Sequence, residues 1–446
     1  MPHPGSLDET GRWRRPECIG TRSRYQRSIG QPRYWQQRKV DQLSKPTRDI
    51  LLLENIHEEA EPAFKKAGLK VRRTGGTLDE TELIEAIGDS TMIGIRSRSQ
   101  MTEKVINSVP NLEAIACFCI GTNQVDLDAA ARRGIAVFNS PFCNTRSVAE
   151  MTIAEIIGLH RGLFDKNSAM HQGRWDKSAT NSHEVRGRVI GIVGYGHIGS
   201  QVSVLAEALG MRVVYHDIVP KMAMGNAIPA GSLDELLAES DVVTLHVPET
   251  PDTKNMIDAR ALKRMKSGSM LINNSRGSVV DIDALAEAIK SEHVMGVALD
   301  VYPSEPRARQ DDFTCPLSGL PGVVMTPHIG GSTEEAQIAI AREVSMKMVT
   351  YQQRGTTTSS VNIPEVELPH RRDGQDRILH FHRNVPGVLS KMHGILAEGH
   401  VNIHAEYLQS TGDLSYVILD VDHLQDGSVI DQFRNMDETI RLRWLS

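Results

Sequence analysis

Short apolar runs alternate with amphipathic segments along most of the chain. Between residues 48 and 139 the runs "RDILLLE", "TMIGI", "LEAIACFCI" and "GIAVFN" have the length of β-strands, and segments with apolar residues at helical spacing separate them. A second, denser series of the same kind occupies residues 188 to 330. Strands that alternate with helices are typical of a parallel sheet covered by helices. The pattern therefore predicts an α/β protein with two Rossmann-like, doubly wound parallel-sheet domains.

Two longer helices interrupt this alternation. One is predicted to begin at "SVAE", where Ser147 and Glu150 have the spacing of a capping box. The other is predicted to begin at "STEE", where Ser332 and Glu335 have the same spacing.

The C-terminal part of the chain has a different pattern. A segment rich in Thr, Ser, Pro and charged residues follows the second long helix and predicts a linker. Beyond it, the order strand, helix, strand, strand, helix, strand predicts a small α+β module of the βαββαβ type. The expected organisation is a first domain over residues 48–143 and 331–363, a second over 144–330, a linker over 364–376 and the module over 377–446.

The first 47 residues have no apolar periodicity. They contain ten arginines and lysines against four acidic residues, together with several prolines. This composition predicts a disordered basic extension. No apolar core of a secretory signal is present, but an arginine-rich segment leaves organelle targeting open as an alternative to a cytoplasmic location.

Composition narrows the class of protein. A length of 446 residues is too great for a single core, and 40% hydrophobic and 24% charged residues are typical of globular proteins. The net charge of -6 argues against a nucleic-acid partner, and no apolar run is long enough to span a membrane. Five scattered cysteines are too few for a disulfide framework or a four-ligand metal site, so we expect a reducing compartment and no metal.

A dinucleotide-binding motif is the most informative stretch of the sequence. In "RVIGIVGYGHIGSQVSVLAEALGMRVVYHD" an apolar strand leads into Gly194, Gly196 and Gly199, a helix follows, and the next strand ends at Asp217. The glycines allow a tight turn and a close approach of the pyrophosphate to the helix N-terminus. A carboxylate at Asp217 can accept hydrogen bonds from the adenosine ribose and repels a 2′-phosphate. The motif predicts NAD as the cofactor, in preference to NADP.

Three polar residues follow the ends of later strands. Arg276 ends "SMLINNSRG", Glu305 follows "VMGVALDVYPSEP", and His328 ends "GVVMTPHIGG". Ligands of open parallel sheets bind beyond the carboxyl ends of the strands, so we expect all three residues at the cofactor crevice. A His paired with a carboxylate is a general acid/base, and an Arg can hold a carboxylate or polarise a carbonyl. The alternative is that each residue belongs to an ordinary solvated loop or turn.

A pair of arginines stands at another strand end. Arg96 and Arg98 are two residues apart in "IGIRSRSQMT", where an apolar run ends. Two guanidiniums that point the same way could bind a doubly charged oxyanion. A solvated, charged edge of the sheet is the alternative from these residues alone.

At these residues the sequence resembles the D-2-hydroxyacid dehydrogenase family. The shared motifs are the mid-chain glycine motif, the Arg of "SRG", the Glu of "DVYPSEP" and the His of "TPHIGG". The segments "IRSRSQMTE", "ACFCIGTNQVDLDAAA", "PFCNTRSVAE" and "VPGVLSKM" are similar to the branch that oxidises 3-phosphoglycerate in the first step of L-serine biosynthesis. The resemblance implies an NAD-dependent oxidoreductase with a C-terminal ACT-type regulatory domain that binds serine.

The resemblance also implies that the two long helices connect the substrate and NAD domains, and it implies the substrate contacts. Arg96 and Arg98, with Ser97 between them, would bind the phosphate of 3-phosphoglycerate. Asn144 matches a residue on the substrate side, and the loop "GTNQVD" would present backbone N–H groups to the substrate carboxylate.

For catalysis, the resemblance implies that Arg276 holds the carboxylate and the C2 oxygen, that His328 takes the hydroxyl proton, and that Glu305 orients the imidazole. Asp300 would meet the carboxamide of nicotinamide. The implied cofactor-binding residues are Gly194, Gly196, His197, Ile198, Gly199, Asp217, Asn274, Ser275, Arg276, Asp300, His328, Gly330 and Gly331.

In the C-terminal module, His382, Asn384 and Asn402 match the serine-binding positions of the ACT-type domain. An alternative is that His382 and Asn384 only tie down the loop between a strand and a helix. The family further implies a homotetramer, with Trp175 and Lys177 at a subunit contact.

Two other functions remain open from the sequence. A different D-2-hydroxyacid reductase, acting on glyoxylate, hydroxypyruvate or 2-oxoglutarate, would share the same pocket chemistry. An NADH-sensing corepressor or scaffold could retain the three strand-end residues as well. The arginine pair and the C-terminal module favour the phosphoglycerate enzyme.

Overall fold

The structure, a computed structural model, describes residues 49–306 and 312–446, so the predicted basic extension lies outside the described residues. Its first sheet is parallel throughout, in the order β2-β1-β3-β4-β5. The strands are β1 (Asp49–Leu52), β2 (Lys70–Arg73), β3 (Met92–Ile95), β4 (Ala114–Cys117) and β5 (Ala136–Phe138). The helices around it are α1 (Glu61–Lys66), α2 (Glu80–Ile87), α3 (Glu103–Ser108) and α4 (Leu127–Arg132).

The second sheet is also parallel throughout and is larger, in the order β12-β11-β10-β9-β6-β7-β8. Before it come α5 (Thr145–His160) and α6 (Leu163–His171). The strands are β6 (Val189–Val193), β7 (Arg212–His216), β8 (Ile228–Pro229), β9 (Val242–Leu245), β10 (Ser269–Asn273), β11 (Val294–Leu299) and β12 (Val323–Met325). The helices around it are α7 (His197–Ala208), α8 (Leu233–Glu239), α9 (Ala259–Arg264) and α10 (Ile282–Lys290). After β12 the chain returns to the first sheet as α11 (Glu334–Arg354), which packs in the core of that sheet. The predicted fold class, with two doubly wound parallel sheets, is confirmed.

The C-terminal module is an antiparallel sheet with two helices, in the strand order β14-β15-β13-β16. Its elements are β13 (Gln375–Arg383), α12 (Val388–Glu398), β14 (Ile403–Thr411), β15 (Leu414–Asp422), α13 (Ser428–Arg434) and β16 (Thr439–Leu445), in the predicted order. One face of the sheet packs on α12 and α13 through residues such as Ile378 and Leu419. The other face joins the core of the first sheet, where the ring of Phe381 stacks on Tyr416. Burial on both faces explains why β15 is an almost unbroken apolar run.

The helix starts differ from the predicted capping boxes. Helix α5 begins after Asn144, whose side chain makes no cap hydrogen bond, so Ser147 lies inside the first turn. Helix α11 is capped by Thr333, whose hydroxyl accepts from the Ala336 N–H, and not by Ser332. Both predicted boxes are therefore wrong. A run of Ser and Thr offers several oxygens near a helix start, and the backbone conformation decides which of them becomes the cap.

Part of the predicted linker packs against the rest of the protein. Thr357 and Val366 are buried and bonded to each other, with the Val366 N–H donating to the Thr357 hydroxyl at 2.8 Å. The β13 strand begins at Gln375, two residues before the predicted start of the module. Throughout the described ranges, no helix has the length and apolar character needed to cross a membrane.

Candidate active site

The glycine motif forms a tight turn after β6. Gly194 has a φ of +89°, and an added Cβ would lie 2.4 Å from the carbonyl oxygen of His246 at the end of β9. A Cβ on Gly199 would lie 2.1 Å from the Gly194 oxygen, so helix and strand approach too closely for any side chain. Gly196 has no atom within 4 Å of the position of a Cβ. Two glycines are thus required by packing, and the third leaves room for a pyrophosphate.

The start of α7 and the end of β7 complete this part of the site. No side chain caps the N-terminus of α7 at Gly196, so its N–H groups and helix dipole remain available to phosphate. The Asp217 carboxylate accepts from the N–H groups of Tyr195, at 2.9 Å, and Val219, at 3.1 Å. The acid is thereby fixed beside the glycine turn. These residues fit the pyrophosphate and the adenosine ribose of NAD.

His328 and Glu305 form a hydrogen-bonded pair at the ends of β12 and β11. The distance between His328 Nδ1 and Glu305 Oε2 is 2.8 Å. This bond raises the pKa of His328, against the opposing effect of burial. Burial acts to raise the pKa of Glu305, but the hydrogen bond and charge of His328 outweigh it and lower that pKa. The pair therefore has the geometry and the polarity of a general acid/base.

Asp300 holds the loop that carries His328. Its Oδ1 accepts from the Thr326 hydroxyl at 2.6 Å and the Ile329 N–H at 2.8 Å, and its Oδ2 accepts from the Gly330 N–H at 2.7 Å. The side chain is buried. Asp300 thus fixes the loop after β12, and its predicted contact with nicotinamide stays a prediction.

Arg276 follows β10, the neighbour of β11 in the sheet. Its Nη1 donates to the Ser275 carbonyl at 2.7 Å, and the Asn273 amide donates to the Arg276 carbonyl at 2.9 Å. The Ser275 hydroxyl donates to the Asn273 side chain at 2.8 Å. Across the cleft, a Cβ on Gly121 would lie 4.0 Å from Arg276 Nη2, which brings the "GTNQVD" loop next to this guanidinium.

The arginine pair lies in a turn that Glu54 organises. β3 ends at Ile95, and the Glu54 carboxylate accepts from the N–H groups of Arg96, Arg98 and Ser99 at 2.9 to 3.1 Å. The two side chains form no ion pair or hydrogen bond within the part of the chain that the structure describes. Their placement follows from this carboxylate-bound turn and not from strand alternation, which was the sequence argument.

The thiol of Cys119 is influenced electrostatically by one arginine from each of the two sites. Burial raises the pKa of the Cys119 thiol to about 11, opposed by the hydrogen bond from Gln124 and by the positive charges of Arg96 and Arg276. Both guanidiniums therefore act on the same point of the first domain.

Asn144 and Gly331 meet where the two connecting helices begin. A Cβ on Gly331 would lie 2.2 Å from Asn144 Nδ2. Nearby, the hydroxyls of Ser147 and Thr333 are 2.8 Å apart and bond α5 to α11. Of the other predicted cofactor residues, His197 contacts Phe142, with ring centroids 3.9 Å apart and planes tilted by 38°, and Ile198 packs against the core of the second sheet.

Comparisons with known proteins agree with this geometry. The family model described as "D-isomer specific 2-hydroxyacid dehydrogenase, NAD binding domain" matches residues 153–330, and "AHAS small subunit-like ACT domain" matches residues 378–441. D-lactate dehydrogenase from Aquifex aeolicus, solved with NAD and lactic acid, superposes with a TM-score of 0.59 at 29% identity, covering 68% of this chain and 95% of that one.

Curated relatives are more similar still. D-3-phosphoglycerate dehydrogenase of Escherichia coli K12 is 49% identical over 406 residues, which cover 90% of this chain and 98% of the relative. The chain belongs to the D-3-phosphoglycerate dehydrogenase family. D-3-phosphoglycerate dehydrogenase 2 of Saccharomyces cerevisiae is 48% identical over 88% of this chain and 85% of its own length.

Sequence reasoning missed three polar residues that support this dehydrogenase site. Glu54 binds the arginine turn, and Gln124 donates to the Arg96 carbonyl at 2.7 Å. Glu155 is buried in α5 and accepts from the Asn274 amide at 2.7 Å. The available signal was an acid at the end of one apolar strand and another within the apolar helix segment "TIAEIIGL".

Proposed function

We propose that this dehydrogenase oxidises 3-phospho-D-glycerate to 3-phosphooxypyruvate, the first step of L-serine biosynthesis. The observation that carries the proposal is the combination of the His328–Glu305 pair with the guanidiniums of Arg96 and Arg98 in the facing domain, which have no side-chain partner among the described residues. The relatives named D-3-phosphoglycerate dehydrogenase, which match over nearly their whole length, support it. Bound NAD would accept the hydride from C2 of the substrate.

His328 supplies the base for this oxidation. Because Nδ1 is engaged with Glu305, neutral Nε2 remains available to accept the proton of the C2 hydroxyl. The imidazolium that forms is stabilised by the Glu305 carboxylate. Arg276 would hold the substrate carboxylate and polarise the C2 oxygen as it becomes a carbonyl.

Arg96 and Arg98 would distinguish this substrate from smaller 2-hydroxy acids. A phosphate carries up to two negative charges and accepts several hydrogen bonds, and guanidiniums match that geometry. The Glu54 carboxylate is occupied by backbone N–H groups and so fixes the turn without an ion pair to either side chain. Within residues 49–306 and 312–446 neither guanidinium has an ion-pair or hydrogen-bond partner, which leaves both available to an anion.

The direct test is NADH formation by the purified protein with 3-phosphoglycerate and NAD. We expect turnover, and we expect His328→Asn to lower it by about 10²- to 10⁴-fold, the usual contribution of a positioned general base. Absence of NADH formation, together with rapid NADH oxidation by glyoxylate or hydroxypyruvate, would instead identify one of the reductases that share this fold.

The C-terminal module is proposed to bind serine as a feedback inhibitor. A cavity of about 180 Å³ is lined by His382, Asn384, Ser390 and the N-terminus of α12 at Gly387 and Val388. His382 Nδ1 is buried without a hydrogen-bond partner in the described chain. A small amino acid offers an ammonium, a hydroxyl and a carboxylate, which the ring nitrogen, the amide and the helix N-terminus could receive.

Asn402 lies at the other end of the same sheet. His382 pairs with Ser415, whereas the Asn402 N–H donates to the Asp422 carboxylate at 3.0 Å. Ser415 and Asp422 are seven positions apart along β15, or about 23 Å at the usual strand rise. One serine cannot reach both groups in a single chain, so the proposed site joins two copies of the module.

We further propose that the protein is a homo-oligomer, with the family's homotetramer as the expected state. Leu163, Met170 and Trp175 are exposed apolar residues on and after α6, and the Trp175 side chain is 80% exposed. An apolar surface of this kind is typical of a subunit contact. Light scattering on the purified protein measures the assembly, and a monomer at micromolar concentration would contradict it.

A further inference from the structure

A buried polar cluster lies where α5 crosses the ends of β10 and β11. The Glu155 Oε2 accepts from Asn274 Nδ2 at 2.7 Å, and the same amide donates to the Thr152 hydroxyl at 3.1 Å. Glu155 is 4% exposed, Asn274 7% and Asp300 1%. The neighbouring buried residues of α5 include the apolar Ala149 and Ile156, both 0% exposed. Burying a carboxyl group among apolar residues costs free energy unless the group is neutral or fully hydrogen-bonded.

The cluster has an excess of acceptors. Within the described residues, Glu155 Oε1 and Asn274 Oδ1 are both buried without a hydrogen-bond partner. An ionised Glu155 would add negative charge to this surplus, whereas the neutral acid adds an O–H donor. The pattern of contacts therefore fits the protonated form.

The electrostatic surroundings of Glu155 also favour its protonated form. Burial raises the pKa of Glu155 to about 7, the hydrogen bond from Asn274 acts to lower it, and the charge of Asp300 raises it further. The charge of Asp300, just after β11, acts on the carboxyl; Asn274, just after β10, donates to it, and Thr152 of the same helix accepts from the Asn274 amide. Among the described residues no positive charge contributes to this balance.

Each neighbour of Glu155 supports one side of the active site. Asn274 is followed directly by Ser275 and Arg276. Asp300 binds the N–H groups of Ile329 and Gly330 and thereby holds the loop with His328. A change of charge at Glu155 is therefore positioned to disturb both the arginine and the histidine of the proposed reaction.

We propose that Glu155 is a positioning residue which, as a neutral acid, holds the β10 and β11 strand ends in the geometry for catalysis and loosens it on ionisation. Ionisation of Glu155 places a second negative charge near Asp300 and weakens the hydrogen bonds by which Asp300 holds the loop after β12. This role rests on the proposed dehydrogenase chemistry at His328 and Arg276 but not on the identity of the 2-hydroxy acid.

The test is the pH dependence of kcat for Glu155→Gln relative to the parent enzyme. Glutamine keeps the size and the donor of the neutral acid but cannot ionise. We expect the ratio of variant to parent kcat to be close to one at about pH 6 and to rise about tenfold by about pH 9, since small misplacements of catalytic groups cost between about 10- and 100-fold. Taking the ratio cancels the titration of His328.

Two more variants make the result specific. Glu150→Gln changes an exposed acid of the same helix, and the ratio of its kcat to the parent kcat should not change with pH. Asn274→Ala removes the bond that favours the ionised form, so the alkaline fall of kcat should move to higher pH, whatever the absolute rate. A flat ratio for folded Glu155→Gln, or an unmoved fall in Asn274→Ala if Glu155→Gln does not fold, would overturn the proposal. Any 2-hydroxy acid or 2-oxo acid that the parent turns over serves as substrate, so failure on 3-phosphoglycerate alone bears only on the proposed function.

Discussion

At the scale of single residues, His328 has a backbone conformation that few side chains adopt. Its φ is +55°, and its N–H donates to the Thr326 carbonyl at 3.1 Å in a tight turn. The turn brings the ring to Glu305 and leaves the His328 side chain 51% exposed toward the cleft. Strain at a functional side chain is common where the surrounding structure fixes it, and here Asp300 supplies the fixing contacts.

Replacing Glu305 should change the pH profile of oxidation. The base must be neutral, so activity is lost as the pH falls through the folded-state pKa of His328, which the bond to Glu305 raises. Glu305→Gln should therefore shift the acid limb of kcat to lower pH, while lowering the maximum by about 10- to 100-fold through lost orientation. Glu335→Gln, at an exposed acid of α11, is the control. An acid limb that stays in place would show that Glu305 does not set the proton affinity of His328.

Asp217 should determine the choice of cofactor. Asp217→Asn removes the charge that opposes a 2′-phosphate but can still accept the Tyr195 N–H. The ratio of kcat/KM for NAD to that for NADP should fall by about 10-fold or more, since like-charge contacts cost several kcal/mol. The exposed Glu239, at the opposite end of the sheet, is the control position for the same neutralisation. An unchanged ratio would mean that the acid does not face the ribose.

At the scale of elements, the alternation of strands and helices could be predicted from sequence because central strands such as β3 and β6 are buried as continuous apolar runs. The edge strands β2 and β8 are polar or exposed and give no such signal. The strand-end positions of Arg276, Glu305 and His328 followed from the same pattern. The first residues of α5 and α11 could not be predicted in this way, because Ser147, Ser332 and Thr333 all have side-chain oxygens suited to a helix cap. Glu155 was missed because a single acid in a helix is ordinarily placed on its solvated face.

The observed cap of α11 gives a stability test. Thr333→Val removes the hydroxyl that accepts from Ala336 N–H and that bonds to Ser147 on α5. We expect the free energy of unfolding in urea to fall by about 1 to 2 kcal/mol, the usual cost of a lost N-cap. Ser332→Ala, at the cap expected from the sequence, should change it by less than about 0.5 kcal/mol. A larger loss of stability in Ser332→Ala than in Thr333→Val would show that Ser332 is the cap, as the sequence predicted.

At the scale of the whole molecule, the two connecting helices place the halves of the site. α5 contacts β10 and β11 from one side, while α11 lies against β4 and β5 of the first sheet. The module joins the same core, where the Arg443 guanidinium lies 4.7 Å from the centroid of the Tyr351 ring of α11. An effector at the module is thus connected by packed side chains to α11, the helix that begins just after Gly331.

Serine control can be tested at Asn402, far from the active site. Asn402→Ala should relieve inhibition by serine while the uninhibited turnover stays near that of the parent, since such couplings amount to about 1 to 3 kcal/mol. Gln425→Ala, at an exposed position of the same module, should leave inhibition unchanged. If millimolar serine neither inhibits the parent enzyme nor binds to it by calorimetry, the module has another effector or serves assembly.

The most direct measurement for the whole account compares 3-phosphoglycerate with unphosphorylated D-glycerate as substrates of the parent, Arg96→Ala and Arg98→Ala. Each variant should lose about 10- to 100-fold in kcat/KM for the phosphorylated substrate, the value of about 1.5 to 3 kcal/mol for a hydrogen bond to a charged group. The kcat/KM for D-glycerate should change little in either variant. Arg132→Ala, which removes an exposed ion pair with Glu103, is the control and should leave kcat/KM for both substrates unchanged. Equal losses on both substrates, or a parent enzyme that does not prefer 3-phosphoglycerate, would contradict the account.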